Sequence, residues 1–452
     1  MPKLRKKLDF YHNDPASILN KLRDFFGLVY LEDNHRPIIA FLPDQYIKYQ
    51  SGLFSAYKKN TDYSYSITHH KIDLLDFICL DPEFKGSSQA GFNGGYIGFI
   101  SYDFAAQQHL KIHIEYKKQP SLYLGKYHHY LKYEAEEWIF YSEGQDALII
   151  YQNIYDALHL DHDSDTQVFQ LVQTCQPRWT KQQYISAFKQ VQEYITAGDC
   201  YQINLTQEFK AQGNGHLLDC AAKFWAMTNA PYAGYLKIDN LEILSCSPEL
   251  FIDFKEQQQI ITRPIKGTMP RYADPILDQK AKNTLINSKK DQAENVMIVD
   301  LLRNDFSLYA QKGSVKTLKL FEIESFNQVH HMVSEVQAIL NKNISPFQVL
   351  LSALPGGSIT GAPKIRAMEI IAELEEAARG AYCGSLGYFN FDGTGCWNIL
   401  IRTIQKYDHD ISIWAGGGIT IASEQEAEYQ ECFDKISAML DLLNTWQRTG
   451  ES

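Results

Sequence analysis

The chain has 452 residues, 45% hydrophobic and 21% charged, with a formal net charge of −11. It can bury a large core, and its length suggests two or three domains or one large duplicated one. The acidic balance argues against a nucleic-acid partner, which needs a basic surface, and no run approaches the roughly 18 apolar residues of a membrane helix.

The basic start MPKLRKKLDFY is followed by no apolar run, so no secretory leader is expected. The eight cysteines are scattered without a C-x-x-C pair, which argues for reduced thiols in a cytoplasm and against a structural zinc. The first 150 residues are rich in Tyr and Phe, and GGYIGFISYDF (94–104) and YLKYEAEEWIFYS (130–142) read as strands. The polar, acidic stretch near 155–178 reads as a junction. It divides an N-terminal region, 1–155, from a second region, 178–446.

A helix is predicted next. Thr180 and Gln183 fit a capping box, Tyr184, Phe188, Val191 and Ile195 recur at helical spacing, and Gly198 suits the C-terminus. Short alternating runs follow: QINLTQEF, AGYLKI, LEILSCS, LFIDF and QIITR, with Asp239-Asn240 as a hairpin turn. Two helices are expected within 275–304. CGSLGYFNF, CWNILIRTIQKY and ISIWAGGGI read as strands, and a last helix runs from about 424 to 446. Antiparallel strands interrupted by helices point to an α+β fold rather than a βαβ series.

Several groups could carry chemistry. In SEQEAEYQECFDK, Glu428, Glu431 and Lys435 share one helical face. They read as a solvated face with a Glu–Lys pair, or as a site for a hard cation such as Mg²⁺, which takes a few carboxylates and fills its shell with water and substrate oxygen. The glycines of AGGGIT (415–420) could offer open N–H groups to an anion. In KKDQAENVMIVDLLRNDF, Glu294 lies beside an apolar stripe of Met297, Leu301 and Phe306; it is a boundary residue with its own salt bridge, or a carboxylate with a task. Glu249, in SCSPELF, follows a strand-like run, where shielding would raise its pKa and suit a general acid; most such glutamates are surface residues. PGGSITGAPKIRAMEII is a Gly-rich run with Pro363 at a helix start: a structural turn or an anion site, but no Walker loop. His330 and His331 are adjacent, so on a strand they face opposite ways; one could be catalytic and the other exposed. No Ser-His-Asp order and no G-x-G-x-x-G fingerprint is present.

Taken together and in order, GDCYQINLTQ, SCSPELF, TRPIKGTMPR, AENVMIVDLLRND, PGGSITGAPKIRAMEII, YCGSLGYF and AGGGIT…EAEYQE resemble the chorismate-utilising enzymes. Strong resemblance covers about 178–445; the first 150 residues match more loosely, mainly at FNGGYIGFISYDF. Anthranilate synthases usually have alanine where Lys266 stands, and isochorismate and salicylate synthases usually have a lysine base where Gln202 stands. The combination of Gln202 with Lys266 is similar to the aminodeoxychorismate synthase component I branch, which serves 4-aminobenzoate and folate biosynthesis. Anthranilate synthase component I is the nearest alternative, and a non-catalytic relative that binds tryptophan or a partner is another. Intact Lys266, Glu249, Glu294 and Glu431 speak against the last.

The resemblance implies a duplicated α+β unit, with two antiparallel sheets packed face to face and helices outside. It implies that Lys266 is a nucleophile toward C2 of chorismate, that Glu249 protonates the departing C4 hydroxyl, and that ammonia then displaces the lysine. Mg²⁺ would be held by Glu294 and Glu431, with Glu428 acting through water. Arg402 and the Gly417–Gly418 backbone would meet the second carboxylate, and His331, Thr360 and Lys435 match pocket positions. Gln202 would replace the base that activates water in relatives. Ammonia is expected from a separate glutamine amidotransferase subunit, since no cysteine sits in an amidotransferase elbow. Tryptophan binding stays open, because VYLEDN puts Asp33 where serine is common.

Overall fold

The computed structural model describes residues 4–10, 14–70, 73–81, 90–111, 118–160, 168–325 and 329–447. Their strands form two twelve-stranded sheets in which every adjacent pair is antiparallel. Along the first sheet the strands run Leu4–Lys7, Glu137–Ser142, His129–Glu134, Ile38–Ala40, Val29–Leu31, Tyr232–Ile238, Leu241–Ser247, Thr403–Tyr407, Asp410–Thr420, Gln202–Asn214 and Gln170–Pro177, with Gly361–Ala362 paired to Gln202–Ile203. The second runs Ile265–Pro270, Val329–Ile339, Gln259–Thr262, Leu250–Phe254, Gly395–Asn398, Ser385–Asn390, Gly95–Ile100, Leu122–Tyr127, Gln45–Gln50, Leu53–Lys59 and Tyr65–His70, with Lys316–Ser325 paired to Val329–Ile339. Each sheet therefore takes strands from both the first 150 residues and the rest. The fold is α+β.

The period of two along the strands explains the layering. Val29, Leu31, Ile38 and Leu236 of the first sheet pack in one cluster with Ile97, Phe99, Leu386 and Tyr388 of the second. The alternate residues Tyr30, Ile39, Tyr96, Ile100 and Phe389 belong to the other cluster, which includes the helical Leu19, Phe188 and Phe347. Both faces of each sheet are thus covered, one by the opposite sheet and one by helices.

Local signals hold where they are strong. Thr180 caps Lys181–Ala197 with the reciprocal Gln183 contact, and Gly198 ends it at φ 84°. Replacing Thr180 by alanine would cost about 1 kcal/mol. Asp239-Asn240 turns Tyr232–Ile238 into Leu241–Ser247.

Several expectations need correction. YLKYEAEEWIFYS is a hairpin, because Ala135 and Glu136 take positive φ and close a two-residue turn. The stretch near 155–178 is largely regular where described: a helix occupies Ala147–His159 and a strand Gln170–Pro177, while 161–167 lie outside the described residues. The last helix breaks at Lys435–Ile436 into Gln425–Asp434 and Ser437–Asn444. The buried stripe of Lys289–Ser307 is Ile298, Leu302 and Phe306, with Met297 and Leu301 only partly covered.

The most consequential difference is at two crossovers. CWNILIRTIQKY is not one strand: Gly395–Asn398 belongs to the second sheet and Thr403–Tyr407 to the first. Likewise Leu241–Ser247 lies in the first sheet and Leu250–Phe254 in the second. The crossings run side by side. The Ile399 N–H donates to the Glu249 carbonyl at 3.1 Å, and the Cys246 N–H to the Arg402 carbonyl at 3.0 Å. Glu249 and Arg402 are thereby fixed where the chain passes between sheets.

Candidate active site

Lys266 owes its direction to a bulge. The pairing of Ile265–Pro270 with Val329–Ile339 shifts register between Ile265 and Thr268. Gly267 adopts φ 82°, a conformation costly for any residue with a side chain. The Lys266 ammonium end donates to the Ser358 carbonyl at 3.2 Å, and the Ser358 hydroxyl reaches Glu249 Oε1 at 3.5 Å. Burial pushes the Glu249 carboxyl up to about 7, despite Lys266 and the Ile265 N–H pulling the other way. Burial and the nearby Lys435 lower the Lys266 amine, against the carboxylates of Glu294, Glu249 and Glu431. Both groups are displaced toward their neutral forms, and no ion pair joins them among the described residues. An amine that can be neutral beside a carboxyl that can be protonated has the chemistry to act as a nucleophile with an acid at hand.

The acidic groups gather opposite. Glu294 comes from Lys289–Ser307; Glu428 and Glu431 come from Gln425–Asp434. Gly417 lies beneath the last two: a Cβ there would stand 2.8 Å from Glu428 Oε2 and 2.9 Å from Glu431 Oε1. Glu428 is 2% exposed; its Oε1 accepts from the Ser423 hydroxyl at 2.6 Å, and its Oε2 has no hydrogen-bond partner among the described residues. Burial raises the carboxyl groups of Glu428 and Glu294. It would raise Glu431 too, but the attraction and hydrogen bond of Lys435 bring that group below its ordinary value. Two lysines answer the charge: Lys435 Nζ is 2.6 Å from Glu431 Oε1, and Lys290 Nζ lies 4.0 Å from Glu294 and 3.7 Å from Glu428. As they stand, no three acidic, His or Cys groups among the described residues enclose a metal position. The orphaned, buried Glu428 oxygen and the all-carboxylate donor set nevertheless fit a hard divalent cation.

The remaining groups suit an anion. Arg402, at φ 50°, has no carboxylate partner among the described residues, and burial lowers its guanidinium. It shares a cleft of about 260 Å³ with Lys435 and Val329. His331 is buried, its Nδ1 meets the Thr268 hydroxyl at 2.8 Å, and burial and Arg402 push it down to about 4, so it is a neutral imidazole. Thr360 spends its hydroxyl on the Gly356 carbonyl at 2.9 Å, and its own carbonyl accepts from the Asn204 N–H. Gly418 pairs with Asn204 across the strands, and a Cβ on it would lie 2.5 Å from the Gln202 amide nitrogen. The Gln202 amide is fully buried, and neither its nitrogen nor its oxygen has a partner among the described residues. An unsatisfied amide at such depth costs free energy unless something fills the site.

The sequence profile of the chorismate binding enzymes matches residues 40–441. The chain belongs to the chorismate binding enzyme family. Among curated relatives, aminodeoxychorismate synthase component 1 of Escherichia coli is 48% identical over 62% of this chain and 62% of its own length. The same-named protein of Salmonella typhimurium is 40% identical over 77% and 76%. The chain thus spans about 62% of the Escherichia coli relative's length. Anthranilate synthase component I from Streptococcus pneumoniae TIGR4 superposes with a TM-score of 0.76 at 27% identity, covering 90% of this chain and 92% of that one.

In this chorismate binding enzyme the fold brings Lys266, Glu249, Glu294, Glu428, Glu431 and Lys435 into one electrostatic group, with Arg402 and His331 at its side. Sequence reasoning missed Ser358 and Lys290. Lys290 carried a signal, its i,i+4 spacing to Glu294; Ser358 carried none outside its Gly-rich run. His330 is not exposed as expected: it is 2% exposed and lies between the Ser325 hydroxyl and Asp278. Pro363 precedes Lys364–Glu375 as its cap residue, and Lys364 Nζ pairs with Asp305 at 2.9 Å.

Proposed function

We propose that this chain is the synthase component that converts chorismate and ammonia to 4-amino-4-deoxychorismate. One observation carries the reading: Lys266 and Glu249, joined through Ser358, are both displaced toward neutrality. The Lys266 amine attacks C2 of the ring. Glu249 delivers its proton to the C4 hydroxyl, which leaves as water, since hydroxide is a poor leaving group. Ammonia then bonds to C4, the Lys266 nitrogen departs from C2, and protons return to Lys266 and Glu249. The net change is ammonia in, water out. Arg402 and the Gly417–Gly418 backbone take one substrate carboxylate, with His331, Thr360 and Lys435 around the ring. Glu294 and Glu431, with Glu428 through water, would hold Mg²⁺, which when bound neutralises the ring carboxylate.

The designation of the relatives as component 1 supports a second component, here read as a glutamine amidotransferase that supplies ammonia. Eight free cysteines, seven of them buried, suit a reducing cytoplasm. Beside Asp33, where the resemblance leaves tryptophan binding open, the cavity measures about 10 Å³, and the Asp33 carboxylate meets Arg36 at 3.2 Å and the Tyr388 hydroxyl at 3.0 Å. The test is mass spectrometry of products from chorismate, MgCl₂ and ammonium chloride. 4-Amino-4-deoxychorismate is expected; anthranilate would select the anthranilate synthase reading instead.

A further inference from the structure

Lys290 occupies an awkward place. It is the second residue of the helix Lys289–Ser307, where the positive end of the helix dipole disfavours a cation. Its side chain is 58% exposed, so water is available to it. Even so, its ammonium leans inward, 4.0 Å from Glu294 Oε1 on its own helix and 3.7 Å from Glu428 Oε1 on Gln425–Asp434. Among the described residues it makes no hydrogen bond elsewhere. Lys435 differs: it is anchored by the Gly416 carbonyl at 2.8 Å as well as by Glu431. What holds Lys290 in place is therefore the field of carboxylates alone, and a divalent cation among the same oxygens would remove that field and add repulsion.

We infer that Lys290 is a tethered competitor for the divalent cation, its ammonium neutralising Glu294 and Glu428 when the metal is absent and swinging to solvent when the metal binds. This rests on the reading of Glu294, Glu428 and Glu431 as the metal's holders. The geometry suits such an exchange. The tether is long and open to water, the distances are those of loose ion pairs, and the buried Glu428 Oε2 is left for the incoming ion. A lysine of this kind would keep three neighbouring carboxylates from repelling one another in the metal-free protein, and would set metal affinity lower than the carboxylates alone allow.

The test is a Mn²⁺ titration of the full chain, reading free Mn²⁺ by electron paramagnetic resonance, with thermal midpoints measured in EDTA and in saturating Mn²⁺. Lys290→Gln should bind Mn²⁺ about two- to fivefold more tightly than wild type, the range a partly exposed ion pair can supply. It should melt lower in EDTA, and the gap should close in Mn²⁺. Lys290→Arg should behave as wild type, because it keeps the charge. Equal or weaker Mn²⁺ binding by Lys290→Gln, with wild type binding normally, overturns the inference alone. If Glu294→Gln and Glu431→Gln bind Mn²⁺ as wild type does, or wild type binds none, the metal-site reading falls and the inference falls with it.

Discussion

At Lys266 and Glu249 the protein uses one cause, removal from water, to push an amine down and a carboxyl up. Lys266→Ala should abolish any covalent adduct seen by intact-protein mass spectrometry and slow turnover, while chorismate and Mg²⁺ still bind. An adduct on another residue in the wild type would defeat the assignment. As the proposed acid, Glu249 would act only while protonated, and its value of about 7 places the loss above neutrality. At a fixed concentration of neutral ammonia, kcat should fall as pH rises through about 7, and Glu249→Gln should erase that limb while losing roughly 10²–10⁴-fold in rate. Identical pH profiles for wild type and Glu249→Gln would remove Glu249 from the acid's role. Gln202 is complementary, because its buried amide lacks partners among the described residues and faces Gly418. A neutral amide cannot deprotonate water, yet it can orient ammonia through both its donor and its acceptor. Lysine at this depth would be driven toward its neutral, basic form. Gln202→Lys, given chorismate and Mg²⁺ without ammonia, should form more water-derived product such as isochorismate than wild type. A folded, chorismate-binding variant with no such gain would sink the idea.

At the scale of elements, the site is built where regular structure is interrupted: a bulge at Lys266-Gly267, two strand crossovers at Glu249 and Arg402, and a glycine floor at 417–418. The floor is testable. The atoms a Cβ on Gly417 would meet are the free ends of Glu428 and Glu431, which can move, so Gly417→Ala should fold with a near-native thermal midpoint. Moving those carboxylates should raise the apparent KM for chorismate and the Mg²⁺ requirement by about tenfold, the effect of about 1.4 kcal/mol. Unchanged Mg²⁺ dependence would mean that the two carboxylates need not sit where they do. The same interruptions mark what the sequence could reveal. A capping box, a two-residue turn and an acidic helical face are local patterns, and Thr180, Asp239-Asn240 and Glu428–Glu431 were legible as such. A period of two says that a residue is in a strand but not in which sheet, so CWNILIRTIQKY looked continuous although it changes sheets before Arg402. The environment of Lys266 is assembled from segments far apart in sequence, including Ser358 and Glu294, and no spacing rule reaches across such distances. The chemistry proposed for it came only through resemblance; the burial that lowers its amine required the fold.

On the scale of the whole molecule, the two sheets are continuous from the first strands to the last, and the chemistry sits in one part of them. What the chain offers elsewhere bears on the source of the ammonia in the proposed reaction. Releasing ammonia from glutamine by the usual cysteine route needs a thiolate, so a cysteine whose pKa is lowered by a neighbouring base or cation. The buried cysteines here go the other way: burial pushes up the thiols of Cys175, Cys200, Cys220, Cys246, Cys383, Cys396 and Cys432. Cys79 is exposed, with its sulfur 3.9 Å from the Asp76 carbonyl. None is placed as a glutaminase nucleophile, whereas the reaction proposed at Lys266 and Glu249 needs only free ammonia. The purified chain should therefore turn over chorismate with ammonium salts and remain silent with glutamine until a glutamine amidotransferase is added. Activity should rise with pH through the neutral ammonia fraction before Glu249 limits it. Glutamine-dependent turnover by this chain alone, surviving alkylation of Cys79, would show that a second nucleophile had been overlooked and would end the two-component reading.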